Sequence, residues 1–216
     1  MPASTPISLS KTAALSRVLD SIPKGYRRYT CGTIRPNKVD ALLQKFHHLY
    51  GIGCTPAQRL TRKSHGKANA LMVVFWPEGA TEVQWLLLAT HGTGLEGESL
   101  MNVEDKNRLN WLDYECVRYA NRNRTSWTWR RPKHEMAEHY LMLSELMNKH
   151  YVRATADFLL RLTRQPGYHG VREQTWAIFQ EARRRGYTGE LPYIFFVQKT
   201  SHGERRRIKL GKTTPS

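Results

Sequence analysis

The chain has no uninterrupted run of about 18 apolar residues, the length a membrane-spanning helix needs. Its opening stretch, MPASTPISLSKTAALSRVLD, lacks the basic head and apolar body of a secretory signal. Cysteine is scarce: Cys31, Cys54 and Cys116 are odd in number, far apart and without a CxxC pair. They read as reduced thiols of a cytoplasmic protein rather than a disulfide frame or a metal site. Catalytic signatures are missing too. There is no GxSxG of a serine hydrolase and no GxxxxGK followed by Ser or Thr to cradle a triphosphate. Nor is there a His-x-His pair of the kind that rolling-circle enzymes and conjugative relaxases require. Acidic side chains are few, 18 against 34 Lys and Arg, giving a net charge of +16.

That charge is unevenly spread. Residues 1–70 carry 12 basic and 2 acidic side chains, 71–117 carry 2 and 8, and 118–216 carry 20 and 8. Two basic flanks thus surround an acidic middle, and the excess points to an anionic partner, either nucleic acid or an acidic protein surface. With 40% apolar residues and six Trp, the 216-residue chain can build a core. It reads as one domain over 1–216, with 1–8 and 211–216 expected to be flexible.

What is present is organised around the middle. Leu71–Trp76 and Val83–Ala89 are apolar and β-favouring, and Pro77 to Thr81 between them favours a turn. Neither run alternates cleanly, so the pair predicts a hairpin at a sheet centre with both faces covered. Before it the pattern predicts a helix over 9–21 closed by Pro23 and a strand over 26–34. An amphipathic helix opened by Pro36 and stopped at Gly51 follows, then a short helix begun by Thr55-Pro56. His47 and His48 fall at the end of the amphipathic helix and read as surface or capping residues.

After the hairpin, Trp111–Tyr119 and Ser126–Arg130 predict a second hairpin with a turn at 121–124, placing Trp127 and Trp129 on one face. Helices over 132–153, 154–164 and 171–185 follow, then strands over 193–199 and 205–210 separated by a turn at 201–204. The order of elements predicts an α+β fold with a mostly antiparallel sheet built on the two hairpins.

Two motifs invite a chemical reading, and context argues against one and spacing against the other. Gly92-Thr93-Gly94-Leu95-Glu96-Gly97 matches GxGxxG after a strand, but that strand belongs to an antiparallel hairpin and acidic residues follow. A mobile loop is expected. His134-Glu135-Met136-Ala137-Glu138-His139 evokes a zinc-protease helix, yet its histidines are five apart and fall on different faces. No catalytic, cofactor or metal site is assigned.

Binding chemistry has more support. Arg118, Arg122, Arg124, Arg130 and Arg131 surround Trp127 and Trp129. Arg183, Arg184 and Arg185 close a helix, and Arg205, Arg206 and Arg207 lie on the final strand. Arginine with aromatics serves single-stranded nucleic acid, through phosphate contact and base stacking, and serves protein interfaces equally.

The block YECVRYANRNRTSWTWR, Tyr114–Arg130, together with size and basic charge, resembles the fertility-inhibition proteins of conjugative plasmids, those of the FipA type. The resemblance implies a non-enzymatic cytoplasmic factor that blocks conjugative transfer of a co-resident plasmid by binding its coupling protein, the ATPase that feeds DNA to the secretion channel. It maps no functional residue onto particular positions. The alternative reading is a basic DNA- or RNA-binding protein in plasmid replication or regulation.

Overall fold

The structure, a computed structural model, describes residues 4–106, 108–121, 124–196 and 204–209. Contacts divide the chain into two compact units, 1–108 with 200–216 and 109–199. Each has its own apolar core.

In the first unit the strands are β1 (Ser4–Ser8), β2 (Arg28–Ile34), β3 (Ala70–Phe75), β4 (Val83–Ala89) and β5 (Met101–Asn102). The helices are α1 (Lys11–Ser21), α2 (Val39–Tyr50) and α3 (Pro56–Ser64). The late strand Glu204–Lys209 completes a six-stranded sheet, lying beside β1, in which β1 runs parallel to β3 and the other pairs are antiparallel. The predicted hairpin is its centre: β3 pairs with β4, Met72 opposite Leu87 and Val74 opposite Trp85.

Both faces of that pair are covered, as the lack of alternation requires. Met72, Val74, Leu87 and Ala89 pack with Val39, Leu43 and Phe46 of α2. Leu71, Val73, Leu86 and Leu88 point the other way and are buried as well, with α1 against β3. Each such side chain contributes roughly 1.5–3 kcal/mol on burial, which fixes this hairpin in the interior.

The N-terminal segment departs from expectation. Ser4–Ser8, read as loose, is a strand bonded on both sides, with Ile7 fully buried and opposite Val74. Its Pro and Ser content hides a β-compatible run whose apolar residue reaches the core. His47 is another correction, for it is buried and its Nδ1 accepts from the Gly53 amide at 3.2 Å. The short helix begins as predicted: Thr55 and Gln58 form a reciprocal capping box at the N-terminus of α3.

The second unit holds β6 (Asn110–Trp111), β7 (Tyr114–Asn121) and β8 (Arg124–Arg130) in an antiparallel sheet, with α4 (Lys133–Asn148), α5 (Val152–Thr163) and α6 (His169–Arg184). The predicted single strand over 111–119 is instead two strands. Leu112 and Asp113 both take left-handed φ, 53° and 65°, and form a two-residue hairpin turn joining Trp111 to Tyr114. Leu143, Phe158, Leu159, Leu162, Ile178 and Phe179 from α4, α5 and α6 make the core.

The predicted strand over 193–199 is not formed in its described part. Leu191–Phe196 belongs to no strand, and 197–199 lie outside the described residues, as do the turn residues 201–203. Leu210 and 211–216 also lie outside them. An α+β fold with helices on a mixed six-stranded and an antiparallel three-stranded sheet is the result.

Candidate functional site

The hairpin of β7 and β8 separates the residues singled out in the sequence. Cys116 lies opposite Trp129 and Arg118 opposite Trp127, so one face of the ribbon carries all four. Along that face burial changes. Trp129 and Cys116 are enclosed, whereas Trp127 is half-buried with the Arg118 guanidinium 5.7 Å from its ring centre. Burial also pushes the Cys116 thiol pKa up to about 12, which keeps it protonated and inert. Trp129, 0% exposed, is a core residue and not a surface anchor.

Arg131 is corrected for the same reason. Its side chain is 0% exposed and donates to the carbonyls of Val171 and Leu162, to the Thr175 hydroxyl and to Gln165 Oε1. Glu135 lies 3.8 Å from its Nε. Burial lowers the Arg131 pKa, and Glu135 and Tyr114 oppose that fall. A guanidinium used this way ties the end of β8 to α5 and α6 and has no surface to offer a partner.

Glu135 in turn meets His139 Nε2 at 3.3 Å and accepts from Gln165 Nε2. The hydrogen bond from His139, aided by Gln165 and Arg131, holds its carboxyl below the usual range despite burial. The helix with the paired histidines therefore uses His139 inside a polar cluster. His134 is exposed, and among the described residues no three metal-capable side chains converge.

The other arginines are mostly engaged. Arg130 forms a fork with Glu115, at 3.1 and 3.0 Å. Arg183 donates to the Tyr187 carbonyl beyond the end of α6, while Arg184 and Arg185 both clasp Glu181. Arg122 lies outside the described residues, as do the side chains of Arg124, Arg205, Arg206 and Arg207.

The glycine-rich loop is built and held. A parallel bridge joins Lys67 to Thr93, with Ala68 N–H donating to Thr93 O and Thr93 N–H to Gly66 O. Gly92 has a φ of 137°, and a Cβ there would stand 2.5 Å from the Ala68 nitrogen. The Gly94 amide, one that a phosphate would need, already donates to Glu96 Oε1 at 2.7 Å. The expected mobile loop is thus an anchored one whose anion is its own carboxylate.

A different part of the second unit is open. α6 and the Leu191–Phe196 segment enclose a groove of about 520 Å³ lined by His169, Arg172, Trp176, Leu191, Tyr193 and Phe196, among others. Its aromatics face solvent: Trp176 is 51% exposed, Tyr193 64% and Phe196 60%. Phe195, 62% exposed, meets Tyr193 edge to face at 5.0 Å. The main chain of Phe195 lies against Gly167, where any side chain would collide with its carbonyl. The Arg172 guanidinium carbon sits over the Phe196 ring, 3.4 Å from its centre. At the mouth, His169 stacks on Tyr119 and approaches Glu173 at 3.4 Å.

No family model, curated protein or solved structure matches the chain. Its site is read from its own geometry.

Sequence reasoning missed this groove because YIFF looks like a buried strand. Pro192 immediately before it was the available signal, since proline cannot donate to a sheet ladder.

Proposed function

We propose that the chain is a non-enzymatic binding factor that inhibits conjugative transfer of a co-resident plasmid by docking on its coupling ATPase. The observation that carries the docking half is the groove on α6, where three large aromatic side chains more than half exposed line one cavity. Apolar surface concentrated in this way marks an interaction site, and Trp, Tyr and Arg are the usual anchors of protein interfaces. The pairing of Arg130, Arg183, Arg184 and Arg185 with groups of the protein itself favours protein over phosphate as the partner. The conjugation half rests on the resemblance carried by Tyr114–Arg130. No helix among the described residues is long and apolar enough to cross a membrane.

The test is a mating assay from donors carrying the transferred plasmid, with and without this chain expressed. Transfer falling by orders of magnitude, with donor growth and plasmid copy number unchanged, is expected. Unchanged transfer, or a fall explained by lower copy number, favours the nucleic-acid alternative. That alternative draws its support from the Arg205–Arg207 run on the sheet's last strand.

A further inference from the structure

The groove holds an unmet donor. Arg172 Nε is buried yet has no hydrogen-bond partner among the described residues, and its guanidinium sits over the Phe196 ring. Buried donors are normally paired, and a cation held on an aromatic face without an anion is a half-built ion pair. The one carboxylate in the wall, Glu173, instead approaches His169. A second set of donors and acceptors is open beside it. The main chain of Leu191–Phe196 belongs to no strand and makes no hydrogen bond to any described residue. Around these polar groups the lining is apolar: Trp176, Leu191, Pro192, Tyr193, Ile194 and Phe196.

We infer that this groove binds an extended segment of the partner protein, carrying large apolar side chains and one carboxylate that pairs with Arg172. This deepens the docking reading above and rests on it. Each part of the occupant answers a feature of the site. A carboxylate satisfies the planar fork of Arg172, which no described residue hydrogen-bonds and whose position over Phe196 orients it. Apolar side chains fill the space between Trp176 and Tyr193. An extended main chain can hydrogen-bond the main chain of Leu191–Phe196, which no described residue engages, in the manner of strand addition. A nucleic acid suits the site less well. A single cation, a carboxylate in the wall and the aliphatic surfaces of Leu191, Pro192 and Ile194 do not make a track for a phosphate chain.

The experiment selects a phage-displayed library of random twelve-residue peptides on the full-length chain, and then measures the recovered peptides by fluorescence anisotropy. Enrichment for aromatic or aliphatic residues together with Asp or Glu is expected. Binding should weaken at least about tenfold with R172Q and with W176A, and likewise when the peptide's acid is changed to its amide. L60A, an exposed residue of the other unit, should leave it unchanged. Circular dichroism establishes that each variant is folded. Absence of enrichment, or peptides indifferent to R172Q, overturns the inference. So does displacement of the peptides by fluorescein-free oligo-dT, which assigns the groove to nucleic acid. Wild-type mating inhibition is scored separately. Peptide binding without inhibition refutes the conjugation reading alone, and inhibition without peptide binding refutes the groove alone.

Discussion

Arg131 donates through Nη2 to the hydroxyl of Thr175 at 2.9 Å, joining the end of β8 to the middle of α6 inside the second unit. The same guanidinium bridges Gln165 and the carbonyls of Val171 and Leu162. The end of β8, the end of α5 with the loop after it, and α6 thus share one buried cation. Arg131→Ala is expected to cost about 3–5 kcal/mol, because it leaves several buried acceptors unpaired. Arg131→Lys should recover only part of that, since an ammonium does not reproduce the fork. Chemical denaturation of the variants checks both; a loss under about 1 kcal/mol would show the cluster to be dispensable.

Trp127 and Trp129 share a face and differ in fate. Trp129→Ala removes a fully buried side chain and should cost about 3–5 kcal/mol, while Trp127→Ala should cost less than half as much. Equal losses in thermal unfolding would contradict the burial gradient along the ribbon.

Gly92→Ala is expected to destabilise more than Gly94→Ala. Both glycines have positive φ, but only at Gly92 does an added Cβ meet main chain, whereas nothing lies within 4 Å at Gly94. About 1 kcal/mol is expected for Gly94 from the backbone conformation alone. A larger value at Gly92, read from urea midpoints, reports the tie between the 66–68 and 92–94 loops.

Glu181 provides a pH signature. Hydrogen bonds from Arg184 and then Arg185 lower its pKa from 4.5 to about 2. A depressed carboxylate stabilises the folded state above its ordinary pKa, and that contribution fades as pH falls from about 4.5 towards 2. Carbon-detected NMR should show a midpoint well below 4.5 in the wild type and a higher one in Arg184→Gln. Coincident midpoints would mean that Arg184 does not hold Glu181 in solution and is available to phosphate.

Periodicity revealed the elements well where one pattern had one explanation. The β3–β4 hairpin, α2 with its apolar stripe and the start of α3 at Thr55-Pro56 were all readable, because turn, cap and core residues agreed. Three stretches were misread for physical reasons, among them 111–119, where the turn at Leu112 and Asp113 has no Gly or Asn to announce it. Ser4–Ser8 is stabilised by distant neighbours, β3 and the strand at Glu204–Lys209, which no local pattern records. The run expected as a strand over 193–199 has strand-like composition, but in its described part, Tyr193–Phe196, it pairs with no described strand. The site was less legible than the fold. Arg131 and Trp129 look like surface anchors in one dimension, and only packing shows that helices enclose them. Arg172 and Trp176 sit four residues apart on one helix and gain meaning only when Phe196 folds over the first.

If the chain acts by binding a protein, isothermal titration of the chain into the purified cytosolic part of the coupling ATPase will show it. Saturable binding is predicted that persists at 0.3 M salt, is unaffected by DNA, and is lost in the Trp176→Ala, Tyr193→Ala double variant. Heat that vanishes with modest salt or appears only when DNA is added would contradict it, and would assign the basic charge of this protein to nucleic acid instead.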